Sequence, residues 1–223
     1  MAGGKGHRLG GPVAKQFQSI AGQPMLLRAL RAFTSHPEVC QVVVVLPPAA
    51  LVAPPEWLAS LAGNLVMLVP GGAERMDSVE NGLGRLRAEC SIALSHDAAR
   101  PFVSRDVIDA VIARARQGES AIAALPVSDT LKTDRTENGI RLIAGTIPRE
   151  GVWRAQTPQG FPRGILEAAF RKAREAGIAG TDEAALVEHL GERIHLVPDS
   201  AWNLKVTTPD DLIVAELIAR QQP

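Results

Sequence analysis

Glycines and basic side chains stand together at the start of the chain in a pattern suited to phosphate binding. Gly3, Gly4 and Gly6 are followed by Arg8 and, seven residues after it, by Lys15. Glycine permits left-handed turns and close approach of the backbone to a ligand, and successive N–H groups in such a loop form an anion site. The stretch therefore predicts a cradle for a polyphosphate, although a flexible chain end would have the same composition.

The glycine spacing excludes two familiar phosphate loops. A Walker loop carries Ser or Thr directly after Gly-Lys, whereas Gly6 stands in that place here. A dinucleotide fingerprint, G-x-G-x-x-G, would need one residue fewer between Gly6 and Gly10. In addition, no acidic residue follows about twenty positions later at a strand end to bind a ribose. A phosphate cradle of another kind is therefore predicted, and a dehydrogenase is disfavoured.

Three charged residues far along the chain follow predicted strands. Asp97 and Arg100 lie two and five residues beyond an apolar strand at 92–95, and Lys205 follows another at 194–197. Because ligands of open α/β sheets bind at the carboxyl ends of strands, these groups are candidates for a site. An ordinary ion pair and a solvated lysine are the alternatives. No Ser-His-Asp pattern or metal-spaced His/Cys cluster occurs in the sequence. A phosphate cradle with several cations and one or two carboxylates suits phosphoryl or nucleotidyl transfer.

The spacing of apolar residues predicts an α/β fold with a doubly wound, mostly parallel Rossmann-like sheet. Helices are predicted over 24–36, 55–62, about 75–88, 104–117 and 163–176, after an N-cap at Thr181, and from Thr208 onward. Strands are predicted over 39–46, 65–69, 92–95, 121–127 and 194–197. The polar, turn-rich stretch 128–148 predicts a hairpin that stands off the domain, with edges that a partner subunit would cover. We expect a single domain over 1–223 with a dimerisation arm at about 128–150.

The overall composition disfavours nucleic-acid and membrane partners and predicts a soluble, cytoplasmic protein. Lys plus Arg and Asp plus Glu number 24 each, so no net charge attracts nucleic acid. A content of 4% aromatic residues without tyrosine disfavours base-stacking surfaces. Cys40 and Cys90 are interpreted as two buried, reduced thiols. No signal peptide is recognised. The longest apolar run, Val42 to Val52, is interrupted by Pro47 and Pro48 and is too short to cross a bilayer.

Recognisable blocks of sequence are spread over almost the whole chain. They are Ala2-Gly3-Gly4-Lys5-Gly6-His7-Arg8 with Lys15-Gln16-Phe17, Gly71-Gly72-Ala73-Glu74-Arg75 with Ser78-Val79, His96-Asp97-Ala98-Ala99-Arg100-Pro101, Pro126-Val127-Ser128-Asp129-Thr130-Leu131-Lys132, Gln156-Thr157-Pro158-Gln159, Thr181-Asp182-Glu183 and Asn203-Leu204-Lys205-Val206-Thr207. In this order they resemble the 2-C-methyl-D-erythritol 4-phosphate cytidylyltransferases of the non-mevalonate isoprenoid pathway. The glycine loop alone would be weak support for this resemblance, whereas the ordered set is specific.

The resemblance implies transfer of a cytidylyl group from CTP to methylerythritol phosphate, with release of pyrophosphate. It assigns neutralisation of transition-state charge to Arg8, Lys15 and Lys205, and implies Mg²⁺, or another divalent cation, held mainly by the CTP phosphates. The implied CTP contacts are Ala2, Gly3, Gly4, Gly6, Gly72, Ala73, Ser78 and Ala98, of which Gly72, Ala73 and Ser78 would contact the cytosine. The implied contacts to the polyol phosphate are Asp97, Arg100, Thr130, Arg149, Thr157 and Thr181, together with Lys205. Thr130 and Arg149 would come from the arm of the second subunit of a homodimer.

Three departures from the family pattern bear on these expectations. Ala14 replaces a usual Pro before Lys15, and Pro148 replaces a usual Asp before Arg149. Met1 falls inside the glycine motif, where the family has a preceding apolar strand. We therefore expect a misassigned or truncated start, a missing central strand and reduced stability. Two other functions stay open. One is a ribitol 5-phosphate cytidylyltransferase, which would share most of these blocks. The other is a non-catalytic nucleotide-binding module, which would have no use for three converging cations.

Overall fold

The chain has an α/β fold with mixed sheets, seen in a computed structural model that describes residues 1–2 and 14–221. The strands are β1 (Ser19–Ile20), β2 (Gln23–Pro24), β3 (Val42–Leu46), β4 (Val66–Pro70), β5 (Ile92–Ser95), β6 (Ser120–Pro126), β7 (Leu131–Glu137), β8 (Ile140–Ile147), β9 (Trp153–Pro162) and β10 (Ile194–Pro198). The helices are α1 (Met25–Thr34), α2 (Pro48–Val52), α3 (Glu56–Ala59), α4 (Arg75–Leu83), α5 (Arg105–Arg116), α6 (Arg163–Ala176), α7 (Glu183–Glu188) and α8 (Pro209–Gln221), and Lys15–Phe17 forms a 3-10 turn. None of these helices is long and apolar enough to span a membrane.

Four strands form the larger sheet, in the order β10-β6-β9-β5. β10 runs parallel to β6, whereas β9 runs antiparallel to both of its neighbours. β3 and β4 form a separate parallel pair. β9 departs from the predicted parallel order because the chain enters it from a hairpin, without the long crossover that parallel neighbours require. Most of β9 is buried, yet its sequence is rich in polar residues and lacks the apolar run that would have predicted a strand.

Most predicted elements are present, but several boundaries are corrected. The strand predicted from residue 39 begins at Val42, because the Val39 N–H is engaged in a turn with the carbonyl of His36 (3.1 Å). The helix predicted to reach about residue 88 ends at Leu83, and Gly84 is its C-cap. Gly82 and Gly84 both lower the helix propensity of this last turn.

The N-caps of the last two helices agree only in part with those predicted from the sequence. Thr181 is predicted as an N-cap, but the carboxylate of Asp182 accepts from the Ala185 N–H (3.0 Å) and caps α7, while Thr181 is exposed. α8 begins as predicted, since Thr208 and Asp211 exchange hydrogen bonds in a capping box (2.8 and 3.2 Å). The sequence does not predict α2, and α3 is shorter than the predicted 55–62.

Side chains of β9 and α6 meet in the largest part of the core. Phe161 is fully buried and packs in one cluster with Leu166 and Phe170. Of the two cysteines, Cys90 is buried and Cys40 is exposed. The prediction of burial is therefore wrong for Cys40, which lies in the irregular segment before β3.

β7 and β8 form a two-stranded antiparallel hairpin between β6 and β9. The turn residues Asn138 and Gly139 have positive φ (49° and 78°), the conformation that favours Asn-Gly in tight hairpins. The side chains of the hairpin are largely exposed, including those of Ile140 (62%) and Ile143 (65%). The hairpin lies within 128–148, where the sequence predicts one.

Candidate active site

Several segments converge on one cavity of about 550 Å³. The loops after β4 and β5, the turn at Lys15–Phe17 and the segment after β10 all contribute to its wall. Lys15, Gly72, Asp97 and Lys205 are among the lining residues. Two of these loops follow the carboxyl ends of strands, where ligands bind in open α/β sheets. The cavity thus combines exposed backbone of a glycine turn with basic and acidic side chains, among them those of two lysines and of Asp97.

Asp97 and Lys205 form a close ion pair at the cavity wall. The Lys205 ammonium lies 2.7 Å from Oδ2 of Asp97, whose side chain is 13% exposed. Burial alone would raise the pKa of Asp97, but the charge and hydrogen bond of Lys205, aided by the Met1 ammonium and Arg75, lower it to about 2. Asp97 is therefore ionised at neutral pH and holds the Lys205 ammonium in place.

Arg100 is buried beneath this pair and joins three segments of the chain. Its guanidinium donates to the carbonyls of Asn203 (2.7 Å) and Ala155 (3.4 Å), and its Nε lies 3.9 Å from Oδ2 of Asp97. Burial lowers the pKa of Arg100, and the charge of Asp97 acts in the opposite direction. Asp97 and Arg100, predicted from their spacing, thus lie together. Through Asn203, Arg100 also supports the segment that carries Lys205.

Buried amide side chains extend this support, and sequence reasoning gave them no role. Gln156 donates to the Asn203 carbonyl (3.1 Å), and the Asn203 amide donates to the Thr157 carbonyl (2.9 Å). Gln159 donates to the carboxylate of Asp182 (2.8 Å) at the start of α7. In the sequence, these residues stand out only as polar residues within the two blocks Gln156-Thr157-Pro158-Gln159 and Asn203 to Thr207. No spacing rule predicts that the two blocks meet.

The Gly-Gly turn after β4 is held in place by the first turn of α4. The Gly72 N–H donates to the Ser78 hydroxyl (3.0 Å), which donates to the Glu74 carbonyl (3.0 Å). A Cβ on Gly72 would overlap the Asp77 side chain, so the turn requires glycine. Gly72 and Ala73 are exposed toward the cavity, whereas Ser78 is buried. Ser78 therefore shapes the turn from behind.

Arg75 and Glu183 form a bidentate ion pair that sequence reasoning missed. The two guanidinium–carboxylate distances are 2.6 and 2.9 Å, and the Glu183 side chain is 1% exposed. Desolvation lowers the pKa of Arg75, but the hydrogen bonds and charge of Glu183 outweigh it and raise the pKa. The pair ties the cavity loop after β4 to α7. No signal in the sequence connects two residues 108 positions apart.

The remaining predicted site residues fall into three groups. Ala2, Ala98 and Thr157 are buried, the first two at the cavity wall and Thr157 behind Asp97. Thr130, Arg149 and Thr181 are exposed and do not line this cavity. Arg149 instead donates to the Ser128 carbonyl at the base of the hairpin. Gly3, Gly4, Gly6 and Arg8 lie outside the described residues.

The carboxylates near the cavity do not form a metal cage. Across residues 1–2 and 14–221, no group of three or more His, Cys, Asp or Glu side chains is placed to hold a metal ion. Asp97, a lining carboxylate, is engaged by Lys205. Asp97 is thus an acidic side chain at the cavity wall, and Mg²⁺ in proteins is commonly bound through one or two carboxylates, waters and substrate phosphates.

Comparison with known proteins decides the family. The family model described as 2-C-methyl-D-erythritol 4-phosphate cytidylyltransferase matches residues 1–221. The chain belongs to this family. The family member from Syntrophus aciditrophicus (strain SB) is 38% identical over 227 residues, spanning 99% of this chain and 94% of that protein. The member from Frankia casuarinae is 41% identical over 224 residues, spanning 100% of this chain and 80% of that protein. The crystal structure of the Thermus thermophilus member has a TM-score of 0.79 and 37% identity, covering 96% of each chain.

Proposed function

We propose that this chain catalyses the reaction for which its family is named, in non-mevalonate isoprenoid biosynthesis. CTP and 2-C-methyl-D-erythritol 4-phosphate would give 4-diphosphocytidyl-2-C-methyl-D-erythritol and pyrophosphate. A phosphate oxygen of methylerythritol phosphate attacks the α-phosphorus of CTP in line, and the bond from that phosphorus to the β-bridging oxygen breaks. The family match over residues 1–221 carries this proposal. The multiply charged substrates lead us to infer a cytoplasmic enzyme.

The lysines of the cavity act on the charge that develops during transfer. Lys15 and Lys205 both line the cavity, and with Arg8 they would neutralise the crowded phosphates of the transition state. Asp97 would keep Lys205 aimed inward, because the two side chains are 2.7 Å apart. Preorganised cations of this kind stabilise a transition state without reorganisation during the reaction.

The nucleotide and the polyol phosphate would occupy different parts of the cavity. The exposed Gly72 and Ala73 would contact cytosine, with Ser78 holding their turn. Ala2, Gly3, Gly4, Gly6 and Ala98 would line the CTP phosphates. The polyol phosphate would lie beside Asp97, in front of the buried Arg100 and Thr157, and would contact Thr181 where it extends out of the cavity. Mg²⁺, held mainly by the CTP phosphates, would supply further charge neutralisation.

The hairpin would complete the site of a second subunit. Thr130 and Arg149 lie near its base and outside the cavity of their own chain. The exposed Ile140 and Leu142 lie two positions apart on β8 and so share one face of the hairpin, an apolar surface that a second copy of the chain would cover. Arg149→Ala should raise KM for methylerythritol phosphate more than it lowers kcat. Mixing this variant with Lys205→Ala subunits should restore part of the activity, and absence of any rescue would contradict a shared site.

We propose that the finer fold is a doubly wound sheet, in which Met1 and Ala2 belong to a further strand between β3 and β5. Met1 and Ala2 already lie there: the Ala2 N–H donates to the Val45 carbonyl, and the Ala98 N–H donates to the Met1 carbonyl (3.0 Å each). These bonds have the pattern of a parallel strand. Beside Met1, an apolar cavity of about 180 Å³ lies between β3 and β5 and is lined by both strands and by α1 and α4. Burial lowers the pKa of the Met1 ammonium in this gap.

An extension at the amino end tests this gap. Four extended apolar residues placed before Met1 would match the length of β5 and bury side chains worth about 1.5–3 kcal/mol each. We expect a rise in Tm of at least several degrees, since about 1 kcal/mol shifts Tm by roughly 2–4 °C in a chain of this size. An extension of the same length made of Ser and Asp is the matched control. Equal Tm values for the two extensions would contradict the proposed strand.

Release of pyrophosphate tests the proposed function. Wild-type enzyme with CTP and Mg²⁺ should release pyrophosphate when methylerythritol phosphate is added, and much less with ribitol 5-phosphate. Preference for ribitol 5-phosphate would reassign the polyol. If neither polyol caused release while CTP still bound, the chain would be a nucleotide-binding module, and Lys205→Ala would then leave CTP binding unimpaired.

A further inference from the structure

His96 lies directly behind Asp97 and makes hydrogen bonds with both of its ring nitrogens. Its Nε2 is 3.0 Å from the carbonyl of Arg100, and its Nδ1 is 3.0 Å from Oγ1 of Thr157. The ring also packs against Phe33 at a centroid distance of 4.9 Å. The residue belongs to the block that predicts the site, but neither the resemblance nor the proposed mechanism uses its side chain.

The contacts of His96 define the direction of each hydrogen bond. A carbonyl oxygen only accepts, so Nε2 must carry the hydrogen that binds Arg100. In the neutral ring Nδ1 then has no hydrogen and accepts from the Thr157 hydroxyl. The Thr157 oxygen in turn accepts from the backbone N–H of Asp97 (3.0 Å). A directed chain of hydrogen bonds therefore runs from Asp97 through Thr157 and His96 to the Arg100 carbonyl.

The surroundings of His96 keep the ring neutral. Desolvation lowers the pKa of His96 to about 4, and the nearby Met1 ammonium and Arg100 also disfavour a second proton. The bond to the Arg100 carbonyl and the charge of Asp97 act in the opposite direction but do not compensate. At neutral pH the ring has one acceptor nitrogen, and that acceptor faces Thr157.

We propose that His96 is a positioning residue, whose neutral ring orients the Thr157 hydroxyl and thereby fixes the backbone of Asp97 and the Lys205 ammonium that Asp97 holds. The kinetic part of this inference rests on the proposed cytidylyl transfer. It also changes the role of Thr157. Because its single hydroxyl hydrogen is given to His96, Thr157 donates none to a substrate phosphate and acts through Asp97 instead.

Two variants separate the bonds of His96. Asn retains an acceptor near the position of Nδ1, whereas Gln retains a donor near Nε2 and loses the acceptor. We expect His96→Gln to lower kcat about tenfold, as for loss of one buried hydrogen bond, with little change in KM for CTP. His96→Asn should lose less, and the exposed His189→Gln is the matched control. Equal kcat for the Asn and Gln variants would overturn the proposal.

A double-mutant cycle tests the hydrogen bond between Thr157 and His96. Thr157→Val removes the hydroxyl at nearly constant volume and should lower kcat about as much as His96→Gln. The kcat of the double variant should be no lower than that of the poorer single variant, because both substitutions break the same chain of hydrogen bonds. Independent, multiplicative losses would contradict the proposal. So would a Thr157→Val variant that raises KM for methylerythritol phosphate alone, since that result would make Thr157 a direct substrate contact.

A measurement without substrates keeps the test independent of the reaction. The ¹⁵N chemical shifts of His96, assigned by their loss in His96→Gln, should report the neutral ring with hydrogen on Nε2 at pH 7 and still at pH 5.5. A hydrogen on Nδ1, or a protonated ring at pH 5.5, would overturn the inference. If these shifts are as expected but no pyrophosphate is released, only the proposed function fails.

Discussion

Replacement of Lys205 by alanine removes the cation that lies 2.7 Å from Asp97 at the cavity wall. If Lys205 stabilises charge that develops on the transferring phosphate, kcat should fall about 10²–10³-fold, the usual effect of removing one preorganised donor. KM for CTP should change less, because Lys15 also lines the cavity and an interaction made mainly in the transition state affects kcat.

The same substitution should change the titration of Asp97. Its pKa of about 2, against an ordinary 3.8, corresponds to about 2 kcal/mol in favour of the folded carboxylate. Lys205 is 46% exposed, so solvent screening reduces its share to about 1 kcal/mol. Because the pKa is lower in the folded state, this stability is fully present above about pH 4 and is lost as the pH falls toward 2. The difference in unfolding free energy between wild type and Lys205→Ala should therefore shrink over that interval.

Steady-state pyrophosphate release and urea unfolding measure the two effects. Lys172→Ala is the matched control, because Lys172 is exposed on α6 and its ammonium contacts only a backbone carbonyl, that of His189 (3.2 Å), among its hydrogen bonds within residues 1–2 and 14–221. The control should leave both kcat and stability near wild type. A loss in kcat below tenfold for Lys205→Ala would remove Lys205 from the catalytic set and refute this reasoning.

Substitutions at Gly72, Glu183 and His96, with Gly164→Ala as a control, test other parts of the site. Gly72→Ala should cost about 1–3 kcal/mol in a urea titration, because the new methyl group overlaps Asp77. Gly164→Ala, which meets open space within α6, should instead be neutral or stabilising, and equal effects would contradict the contact. Glu183→Gln should lower the free energy of unfolding by about 2–3 kcal/mol. This is less than for a fully buried pair, because the arginine partner reaches solvent. A loss below about 0.5 kcal/mol, as for a surface pair, would show that the ion pair is dispensable. The pKa of His96 is about 4 in the folded state, below its ordinary 6.5. The neutral ring therefore contributes about 3 kcal/mol to the free energy of unfolding above pH 6.5, and this contribution is lost as the pH falls to 4. His96→Gln should flatten the pH dependence of unfolding over that range, and an unchanged slope would exclude His96 as its source.

The sequence predicts the parts of the site that follow apolar strands. Asp97 comes two residues after the end of Ile92–Ser95, a strand whose predicted bounds match the structure, and Arg100 follows three residues later. The charged groups that meet there, however, come from distant parts of the chain. No local pattern connects Asp97 with Lys205 or Arg75 with Glu183, because such pairs depend on how the sheet brings its edges together.

β9 shows a second limit of local pattern. Its inner residues are buried, yet they include Gln156, Thr157 and Gln159, whose polar groups, apart from Oε1 of Gln156, are hydrogen-bonded inside the protein. Burial of polar side chains costs little free energy when their bonds are satisfied, so a strand of this kind has no apolar signal. Because the sequence does not predict β9 as a strand, it could not predict the antiparallel direction of β9 or the mixed sheet that results.

Cytidylyl transfer in this cavity is tested most directly by ³¹P NMR of the enzyme with CTP, Mg²⁺ and methylerythritol phosphate. With wild type and with Lys172→Ala, the monophosphate signal of the polyol should be replaced by two coupled diphosphate signals, together with an equal amount of pyrophosphate. Lys205→Ala should leave the polyol phosphate almost unchanged over the same time. Pyrophosphate without the diphosphate product, or full product formation by Lys205→Ala, would contradict transfer at the Asp97–Lys205 pair.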